Sequence, residues 1–386
     1  MNSILLPLFI YLAIGVVYYL IFSFASLFRS KSLKYKPLLG LNKIAVFIPA
    51  YKEDAIIIDT AKKALNQSYP TDLYQIFVIA DSMQPKTIQN LKKLPIEIVE
   101  VSFEKSTKAK AINETYRRIN QDFDITVVLD ADNIMEPDFL NKVSDAYNSG
   151  ASAMQGHRIA KNQQNELATL DAISEEVNNN IFRKGHINLG LSSALIGSGM
   201  AFDFQLFKDE MARIDAIGGF DKELELSLIK QKIKIAYLKE AYVYDEKVSE
   251  SKTFGNQRTR WIAAQIRYGM RSFGNALLHL ITRGNVDYFD KSFQFLLPPR
   301  LIMLGLLFIL TAITTTFQIE GWTWFLGALV VYSLALTIAI PAKFMNKNTL
   351  LAMMQLPKTF WLMIRAIAGY KKAKNNFLHT TKTVQS

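Results

Sequence analysis

Two aspartates, one residue apart, are the clearest candidates for metal chemistry in this sequence. Asp130 and Asp132 flank Ala131 directly after an apolar run, Ile125–Leu129, that predicts a buried strand. Carboxylates at a strand end can converge on one hard cation, and Mg²⁺ or Mn²⁺ held in this way often completes its coordination with phosphate oxygens. Such a cation neutralises a departing diphosphate. A solvated acidic turn is the alternative interpretation.

Basic and aromatic residues elsewhere suit the same diphosphate chemistry. Lys108 falls in the first turn of a predicted helix, where a cation opposes the helix dipole unless it faces an anion. Gln257, Arg260 and Trp261 lie in a basic amphipathic stretch, Phe254–Leu280. Arginine can bind a diphosphate through two parallel hydrogen bonds, and tryptophan can stack on a sugar ring. An ordinary surface lysine and a membrane-surface helix are the alternatives.

Alternating strands and helices must position these groups. The predicted strands are Ile44–Pro49, Tyr74–Ala80, Ile96–Phe103 and Ile125–Leu129, and the predicted helices are Asp54–Gln67, Pro85–Lys93, Thr107–Asn120 and Pro137–Tyr147. This alternation predicts an α/β domain whose mostly parallel sheet is covered on both faces. Ser106 or Thr107 is expected to cap the third helix, and Pro137 to occupy the first position of the fourth.

Ligands of parallel sheets bind beyond the carboxyl ends of the strands. Tyr51 and Glu53 follow the first predicted strand and Asp81 follows the second, so we expect them beside Asp130 and Asp132. No GxGxxG follows the first strand and no GxxxxGK[ST] occurs anywhere, which disfavours a dinucleotide dehydrogenase and a P-loop ATPase.

Composition narrows the class of protein. Half of the 386 residues are hydrophobic, and the mean hydropathy of +0.10 indicates a chain that is part membrane and part soluble domain. The absence of cysteine excludes disulfides and cysteine-ligated zinc. The net charge of +11 lies largely beside apolar segments, as is typical of membrane proteins with basic cytoplasmic flanks. No nucleic-acid-binding module accompanies it, so nucleic acid is not an expected partner.

Three apolar segments are long enough to cross a membrane. Ser3–Phe28 carries no charge and exceeds the ~30 Å hydrocarbon core, and basic residues follow it instead of preceding it, which favours a retained anchor over a signal peptide. Leu301–Phe317 and Trp322–Ile340 are two further spans joined by a short polar turn. Leu350–Tyr370 contains two basic residues and a proline, which predicts an interfacial or re-entrant helix.

These segments predict an orientation and a domain organisation. Three spans with basic flanks place the amino terminus outside and residues 29 to about 299 in the cytoplasm, which predicts a multi-pass protein of the inner (plasma) membrane. The predicted units are a transmembrane helix (1–28), a basic linker (29–43), a catalytic domain (44–250), amphipathic interface helices (251–290), two transmembrane helices (291–345), and an interfacial helix with a basic tail (346–386).

The chain resembles the inverting family-2 glycosyltransferases of the GT-A fold, particularly the membrane-bound cellulose, chitin and hyaluronan synthases. Six motifs occur in the family's order: Ile48–Asp54, Asp81, Lys108–Asn113, Asp130–Asp132, Gly218–Phe220, and Gln257 with Arg260 and Trp261. The resemblance implies a GT-A domain with a mostly parallel sheet, flanked by transmembrane and interfacial helices. It assigns the nucleotide to Tyr51, Glu53, Asp81, Lys108 and Asp130, the metal to Asp130 and Asp132, and the diphosphate and acceptor to Gln257, Arg260 and Trp261.

The loop expected to carry the catalytic base departs from the family pattern. The best-known members have Thr-Glu-Asp there, and the Asp deprotonates the acceptor hydroxyl. Aligning the segment Leu224–Leu228 with the family's following helix places Glu223 at the position of that Asp. Asp221 and Glu225 are the alternative bases, and a charged helix start without a catalytic role is a further alternative. The segments Gln155–Arg158 and Gly197–Met200 fall where the family lines its pocket.

The resemblance implies inverting transfer of a sugar from a nucleoside diphosphate donor, expected to be a UDP-sugar, to a polysaccharide or oligosaccharide acceptor. Mg²⁺ or Mn²⁺ is the expected cofactor. The alternatives are single sugar addition to a lipid acceptor, a catalytically inert nucleotide-binding scaffold, and an anchored nucleotide-binding regulator. The expected partners are the nucleotide sugar, a glycan or lipid-linked acceptor and membrane lipids, and an export partner protein stays open.

Overall fold

A single sheet of eight strands forms the centre of the molecule. The structure is a computed structural model that describes residues 5–28, 40–163, 165–216, 218–247 and 251–368. The strands are β1 Ile44–Tyr51, β2 Tyr74–Asp81, β3 Glu97–Val101, β4 Ile125–Val128, β5 Ile134–Met135, β6 Ala153–Ala160, β7 Met200–Asp203 and β8 Ile235–Asp245. Their order across the sheet is β3-β2-β1-β4-β7-β6-β8-β5.

The direction of the strands confirms a mostly parallel sheet. Strands β3, β2, β1 and β4 are mutually parallel, and β6 is parallel to β8. Strand β7 runs antiparallel to both of its neighbours, and β5 runs antiparallel to β8. In register, Tyr51 pairs with Asp81, so the carboxyl ends of β1 and β2 lie at the same edge of the sheet. The two strands therefore extend slightly beyond their predicted ends, up to the candidate site residues.

Burial on both faces explains the nearly continuous apolar sequence of the central strands. In β1, Val46 and Ile48 pack into the hydrophobic core on one face, while Ala45 and Phe47 pack into the core on the other. All four side chains are fully buried. A strand covered on both faces has no solvent-facing side, so its sequence does not alternate between apolar and polar residues.

Helices cover the sheet and extend beyond it. They are α1 Leu5–Ala25, α2 Ile57–Ala64, α3 Pro85–Leu91, α4 Lys108–Arg118, α5 Phe139–Asn148, α6 Glu166–Asn178, α7 His186–Asn188, α8 Phe204–Ala212, α9 Phe220–Lys230, α10 Ser251–Arg283, α11 Val286–Leu296, α12 Arg300–Thr316, α13 Trp322–Ala339, α14 Lys347–Met353 and α15 Leu356–Ala368. A π-helical turn, Asn179–Gly185, joins α6 to α7, and a 3₁₀ turn, Ala342–Phe344, follows α13.

The structure confirms the predicted start of one helix and contradicts the predicted start of another. The Thr107 side chain accepts a hydrogen bond of 3.2 Å from the backbone N–H of Lys110, so the predicted cap of α4 is confirmed. The prediction for Pro137 was wrong, because α5 begins two residues later at Phe139. The Phe139 N–H donates to the carbonyl of Glu136, so Pro137 belongs to a turn that precedes the helix.

Among the described residues, two helices are long and apolar enough to cross a membrane, namely α1 and α13. The predicted span Leu301–Phe317 corresponds to α12, which reaches that length only together with α11, across a bend of 57°. Two or three helices can therefore span a bilayer. The predicted interfacial segment Leu350–Tyr370 is divided into α14 and α15, and its last two residues lie outside the described chain. The basic flanks at 29–36 and 371–374 also lie outside it.

Helix α1 packs on the rest of the protein along much of its length. The Tyr18 hydroxyl lies 3.1 Å from Nε2 of His186, and the ring of Phe22 stacks on the same histidine at 3.8 Å. Near the end of α1, the Asn188 side chain donates to the carbonyl of Ala25 at 2.8 Å. These contacts attach the predicted membrane anchor directly to the segment that follows α6.

Candidate active site

One cavity of about 1320 Å³ lies along the carboxyl edge of the sheet and continues between the apolar helices. Ten of the eleven predicted site residues line it: Tyr51, Glu53, Asp81, Lys108, Asp130, Asp132, Asp221, Gln257, Arg260 and Trp261. We call the part lined by Tyr51, Glu53, Asp81, Lys108, Asp130 and Asp132 the donor end. We call the part lined by Leu301, Leu304, Leu336, Ile340, Met353 and Leu356 the helix end.

The segment Asp130–Asp132 is fixed from several sides. The backbone N–H of Asp130 donates to the Ser198 hydroxyl at 2.9 Å, and the Thr60 hydroxyl donates to the carbonyl of Ala131 at 2.6 Å. The Asn133 side chain donates to Asp132 at 3.2 Å. Asp132 is buried, whereas the side chain of Asp130 is 37% exposed. The two carboxylates are therefore held in place at the cavity wall before any ligand binds.

Lys108 faces an anion, as its place in the first turn of α4 requires. Its Nζ lies 2.6 Å from Oδ1 of Asp130 and donates to the carbonyl of Gly197 at 2.6 Å. Gly197 has φ of +82°, a conformation that glycine adopts without steric cost. The glycine-containing segment Gly197–Met200 therefore lies close to the carboxylates, and the lysine is placed where a phosphate group can also reach it.

Asp81 forms a second polar position at the donor end. It is buried, and its Oδ1 accepts hydrogen bonds from the hydroxyls of Ser82 at 2.9 Å and Ser106 at 3.1 Å. Its backbone carbonyl accepts from the N–H of Lys52 at 3.1 Å. Lys52 and Ser82 both have positive φ, 55° and 56°. The chain therefore turns sharply at the ends of β1 and β2, a strain that is commonly found at functional sites.

Helix α10 brings Gln257, Arg260 and Trp261 to the same cavity. The Oε1 atom of Gln257 is buried and accepts no hydrogen bond from the described residues, which is the expected state of a group that binds a ligand. Burial lowers the pKa of Arg260, and the charge of Asp130 partly opposes this. Arg258 lies 4.5 Å over the ring of Trp261 and pairs with Asp171.

The three carboxylates at the start of α9 have different surroundings. Asp221 lines the cavity opposite Gly197. Glu223 does not line it; its Oε2 accepts from the Tyr268 hydroxyl at 3.1 Å, and its Oε1 lies 3.7 Å from Arg271. Glu225 lies 2.8 Å from Lys291, and both side chains are 1% exposed. Of the three, Asp221 is the carboxylate that lines the cavity and has no ion-pair partner among the described residues.

The residues present fit a divalent cation that completes its shell with ligand oxygens. Among the described residues, no group of three or more His, Asp or Glu side chains forms a complete metal cage. Asp130 and Asp132 supply hard carboxylate oxygens on the cavity wall. Mg²⁺ is commonly held by one or two carboxylates together with substrate phosphates, so two carboxylates suffice when a diphosphate supplies the remaining oxygens.

A buried charge cluster lines the cavity, and of its members only Arg158 belongs to a segment that the sequence singled out, Gln155–Arg158. Glu175 lies 2.7 Å from Arg158, 3.4 Å from Arg183 and 3.6 Å from Lys247. Asp245 lies 2.7 Å from Lys247. Burial alone would raise the pKa of Glu175, but Arg158, Lys247 and Arg183 hold it well below its ordinary value. These residues come from β6, α6, the π-helical turn, β8 and, for Lys247, the segment just after β8. No motif in the sequence connects Glu175, Arg183, Asp245 and Lys247.

Comparison with known proteins shows the family of the chain. The model of the family described as glycosyltransferase like family 2 matches residues 42–264. A Methanococcus voltae protein is 26% identical over 50% of this chain and 64% of its own length; it is named dolichyl N-acetyl-alpha-D-glucosaminyl phosphate 3-beta-D-2,3-diacetamido-2,3-dideoxy-beta-D-glucuronosyltransferase. A beta-monoglucosyldiacylglycerol synthase from Nostoc sp. is 25% identical over 58% of this chain and 48% of its own length. The chain thus spans between about half and two thirds of these relatives.

A solved structure supports the fold. The mannosyltransferase PcManGT from Pyrobaculum calidifontis, in complex with GDP-Man and Mn²⁺, superposes with a TM-score of 0.56 at 14% identity. The match covers 94% of this chain and 97% of that one, and it confirms the predicted GT-A-like fold. The family model covers more than half of the chain, including the strand-edge motifs and the segment with Gln257, Arg260 and Trp261. The chain is an enzyme that belongs to glycosyltransferase family 2.

Proposed function

We propose that this enzyme transfers a sugar, with inversion, from a nucleoside diphosphate donor to a hydroxyl group of a lipid acceptor at a membrane surface. The observation that carries the proposal is the single cavity that joins the carboxylate-lined donor end to the apolar helix end. A donor with a charged diphosphate suits the first part, and a lipid tail suits the second.

The donor end supplies the groups that a nucleotide sugar requires. Tyr51, Glu53 and Asp81 bind the nucleoside, with Asp81 already oriented by two serine hydroxyls. Lys108 exchanges part of its contact with Asp130 for a phosphate oxygen. Mg²⁺ or Mn²⁺, when bound by Asp130 and Asp132, neutralises the charge that develops on the diphosphate. Gln257 and Arg260 contact the diphosphate from the side of α10, and Trp261 contacts the acceptor.

Asp221 is the proposed general base. It accepts the proton of the acceptor hydroxyl as the hydroxyl oxygen attacks the anomeric carbon. The bond from that carbon to the diphosphate oxygen breaks, and the diphosphate leaves with the electron pair. Glu223, the expected base from the sequence alignment, is the second candidate, because Tyr268 and Arg271 already engage its two oxygens away from the cavity wall. A base must lie within hydrogen-bond distance of the proton that it removes.

The helix end supports a lipid acceptor over the polysaccharide acceptor predicted from the sequence. Leucine, isoleucine and methionine side chains from α12, α13 and the residue just after it, α14 and the start of α15 make up most of its wall, with four hydroxyl side chains from the same region: Ser333, Thr337, Thr349 and Thr359. Apolar surface favours a hydrocarbon chain, whereas a glycan needs hydrogen-bonding groups along its path. The names of the two relatives point the same way, since one contains dolichyl N-acetyl-alpha-D-glucosaminyl phosphate and the other is a beta-monoglucosyldiacylglycerol synthase.

The same helices support the proposed membrane placement. With α1 and α13 as spans, and α11 with α12 as a bent third, the donor end lies on the cytoplasmic side of the inner membrane, where nucleotide sugars are made. Resemblance to the polysaccharide synthases and the need for an export partner remain sequence predictions within this proposal.

The test is a donor and acceptor screen with the full chain in neutral detergent. UDP- and GDP-sugars are incubated with Mn²⁺ and either a lipid extract or a soluble oligosaccharide, and both nucleoside diphosphate release and labelled product are measured. We expect a labelled product that partitions into organic solvent and carries one added sugar. A water-soluble polymer as the main product contradicts the lipid acceptor, and no release with any donor contradicts the transferase assignment.

A further inference from the structure

We propose that Glu225 and Lys291 are positioning residues, whose buried ion pair holds the first turn of α9, with Asp221, against the cavity. The inference rests on the proposed function and adds two residues to its catalytic arrangement. Neither residue is assigned a contact with the reacting atoms, because both act through the placement of α9. Since Lys291 belongs to α11, a helix outside the sheet determines where the general base lies.

The start of α9 lacks the side-chain contact that commonly fixes a helix end. Its N-cap residue is Gly219, which has φ of +71° and no side chain with which to cap the helix. Caps such as Ser, Thr, Asp and Asn usually accept a hydrogen bond from an N–H group of the first turn. The direction in which Asp221 points therefore depends on the contacts that α9 makes with its neighbours.

Glu225 makes such a contact one turn after the proposed base. Residues four apart lie on the same face of a helix, and Asp221 and Glu225 both line the cavity. Oε1 of Glu225 lies 2.8 Å from Nζ of Lys291, and the same Nζ donates to Oε1 of Gln294 at 2.6 Å. The side chains of Glu225 and Lys291 are both 1% exposed. This ion pair therefore fixes the rotation of α9 about its axis.

The energetics of burial favour a positioning role for the pair over a purely stabilising one. The cost of removing two charges from water largely offsets their attraction, so a buried ion pair is often no more stable than an apolar pair of similar volume. Burial raises the pKa of Glu225, and the charge of Lys291 opposes this shift. Unlike apolar side chains, a charged pair fixes a direction and a distance between two particular atoms.

Helix α11 is held on other sides as well, so it provides a rigid reference for α9. Oδ2 of Asp290 lies 3.1 Å from Nε2 of His186, the same atom that the Tyr18 hydroxyl of α1 approaches at 3.1 Å. About one turn earlier, Oδ1 of Asp287 accepts from the backbone N–H of Ser192 at 2.9 Å. The helix that receives α9 is thus also attached to the predicted membrane anchor.

The principal experiment removes both charges at once. Glu225→Gln combined with Lys291→Met leaves no unpaired buried charge, so the double variant should fold. We expect kcat for nucleoside diphosphate release to fall about 10–10²-fold, because a base displaced by about 1 Å loses its alignment. The donor KM and the affinity for UDP should stay within about twofold of wild type, since the donor end is intact. An unchanged kcat in the folded double variant would overturn the inference.

Glu210→Gln is the matched control. Glu210 is also a buried carboxylate that contacts α9, since its oxygens accept from the Ser227 hydroxyl at 2.5 Å and from the Gln231 side chain at 2.8 Å. It belongs to α8 and does not line the cavity. Its substitution should lower the midpoint of thermal unfolding and leave kcat unchanged. An equal fall in kcat would show that any loosening of α9 impairs turnover, and it would overturn the specific role of the pair.

Glu225→Asp tests the same contact without removing a charge, and it decides the question if the double variant does not fold. The shorter side chain reaches Lys291 only if the first turns of α9 move towards α11. We expect kcat to fall about tenfold while the affinity for UDP is retained. A kcat equal to that of wild type would overturn the inference.

A measurement without turnover separates this inference from the proposed reaction. The chain has no cysteine, so a nitroxide can be attached selectively through Glu223→Cys, on the same turn of α9 but outside the cavity lining. Its paramagnetic resonance spectrum should show greater mobility when the double substitution is added, and no change when Glu210→Gln is added. If the label responds but no donor is turned over, the pair positions α9 and the proposed reaction is wrong. If the double variant turns over donor at the wild-type rate, the transferase assignment stands and the positioning role is wrong.

Discussion

The donor end and the helix end of the cavity are built in different ways. At the donor end, short segments that follow β1, β2, β3 and β4 carry polar residues that contact one another across a strand edge, such as Lys108 and Asp130. At the other end and in the middle, single residues from α1, α6, α12 and α13 meet through tertiary packing. Tyr19 of the predicted anchor lines the same cavity as Asp132.

Because the two regions are built differently, substitutions in them should affect different properties, namely catalytic turnover in one and folding stability in the other. Asp130 of the donor end and the proposed base Asp221 are partly exposed or face the cavity, so substitution should impair turnover with little effect on folding. Residues that join the sheet to the helices, such as Glu176 and Gly185, are buried and make close contacts, so substitution should lower stability first. The following four predictions test this contrast.

The largest expected effect is loss of the base. Asp221→Asn should lower kcat about 10²–10⁴-fold, since this is the usual contribution of general acid–base catalysis, and it should leave UDP affinity unchanged. Glu223→Gln should lower kcat by less than about threefold. Both are measured by steady-state nucleoside diphosphate release together with equilibrium binding of UDP. The opposite ranking would assign the base to Glu223, as the family alignment predicts.

The second largest effect is expected at the proposed metal site. Asp132→Asn should lower kcat about 10²–10³-fold, because charge stabilisation of the leaving diphosphate is lost, and should raise the Mn²⁺ concentration required for half-maximal release. Asp138→Asn, whose side chain is 55% exposed at the start of α5, is the matched control. Full activity of Asp132→Asn across a Mn²⁺ titration would remove Asp132 from the metal site and place the cation, if one is used, elsewhere.

The stability of the folded chain in acid should depend on Glu176, whose ion pairs join the sheet to the helices. Glu176 lies 3.1 Å from His157 and 2.5 Å from Lys343; burial would raise its pKa, but these two partners lower it to about 2 from its ordinary 4.5. A carboxylate with a lowered pKa in the folded state stabilises above its ordinary pKa. Its contribution, about 3 kcal/mol, should therefore be lost progressively as the pH falls from about 4.5 towards 2.

The measurement is the unfolding midpoint of the detergent-solubilised chain as a function of pH. Glu176→Gln should be less stable than wild type at neutral pH, and the difference should narrow in acid over the same interval. Glu100→Gln, which removes an exposed ion pair with Lys92, should change stability by less than about 1 kcal/mol at any pH. A constant difference between Glu176→Gln and wild type would mean that the two ion pairs contribute little.

The smallest effect concerns the contact between the anchor helix and the sheet domain. A Cβ atom at Gly185 would lie 2.3 Å from the carbonyl oxygen of Phe22 in α1, so Gly185→Ala should lower stability by about 1–3 kcal/mol. Gly274→Ala meets no atom within 4 Å in α10 and should raise stability by about 0.5–1 kcal/mol. The measurement is the midpoint of thermal unfolding of each variant in detergent. Equal stability of the two variants would show that α1 tolerates displacement from the π-helical turn.

Local pattern predicted the framework well. The strands β1, β2 and β4 start at the predicted residues, because each is a short and largely apolar run, such as Ile44–Pro49. The cap Thr107 was likewise predictable, since it depends on atoms three residues apart. The start of α5 was not, because Pro137 suits both a first helical position and a turn, and only the hydrogen bond between Phe139 and Glu136 distinguishes them.

Tertiary structure decided which acidic residue of α9 faces the cavity. Asp221 and Glu223 are two residues apart in one helical turn, so they point about 200° apart around the helix axis. The direction of each depends on how α9 packs against α10, where Tyr268 receives Glu223. A sequence alignment of the loop contains no information on that packing.

The sequence by itself determined the α/β alternation, the polar residues at the strand ends and the apolar segments, because each depends on residues that are close along the chain. Only the tertiary structure decided that these features share one cavity, and that Arg158, Glu175, Arg183 and Lys247 form a buried cluster within it. The physical reason is distance along the chain. Charges from separate elements, up to 89 residues apart between Arg158 and Lys247, acquire a common environment only when burial brings them together.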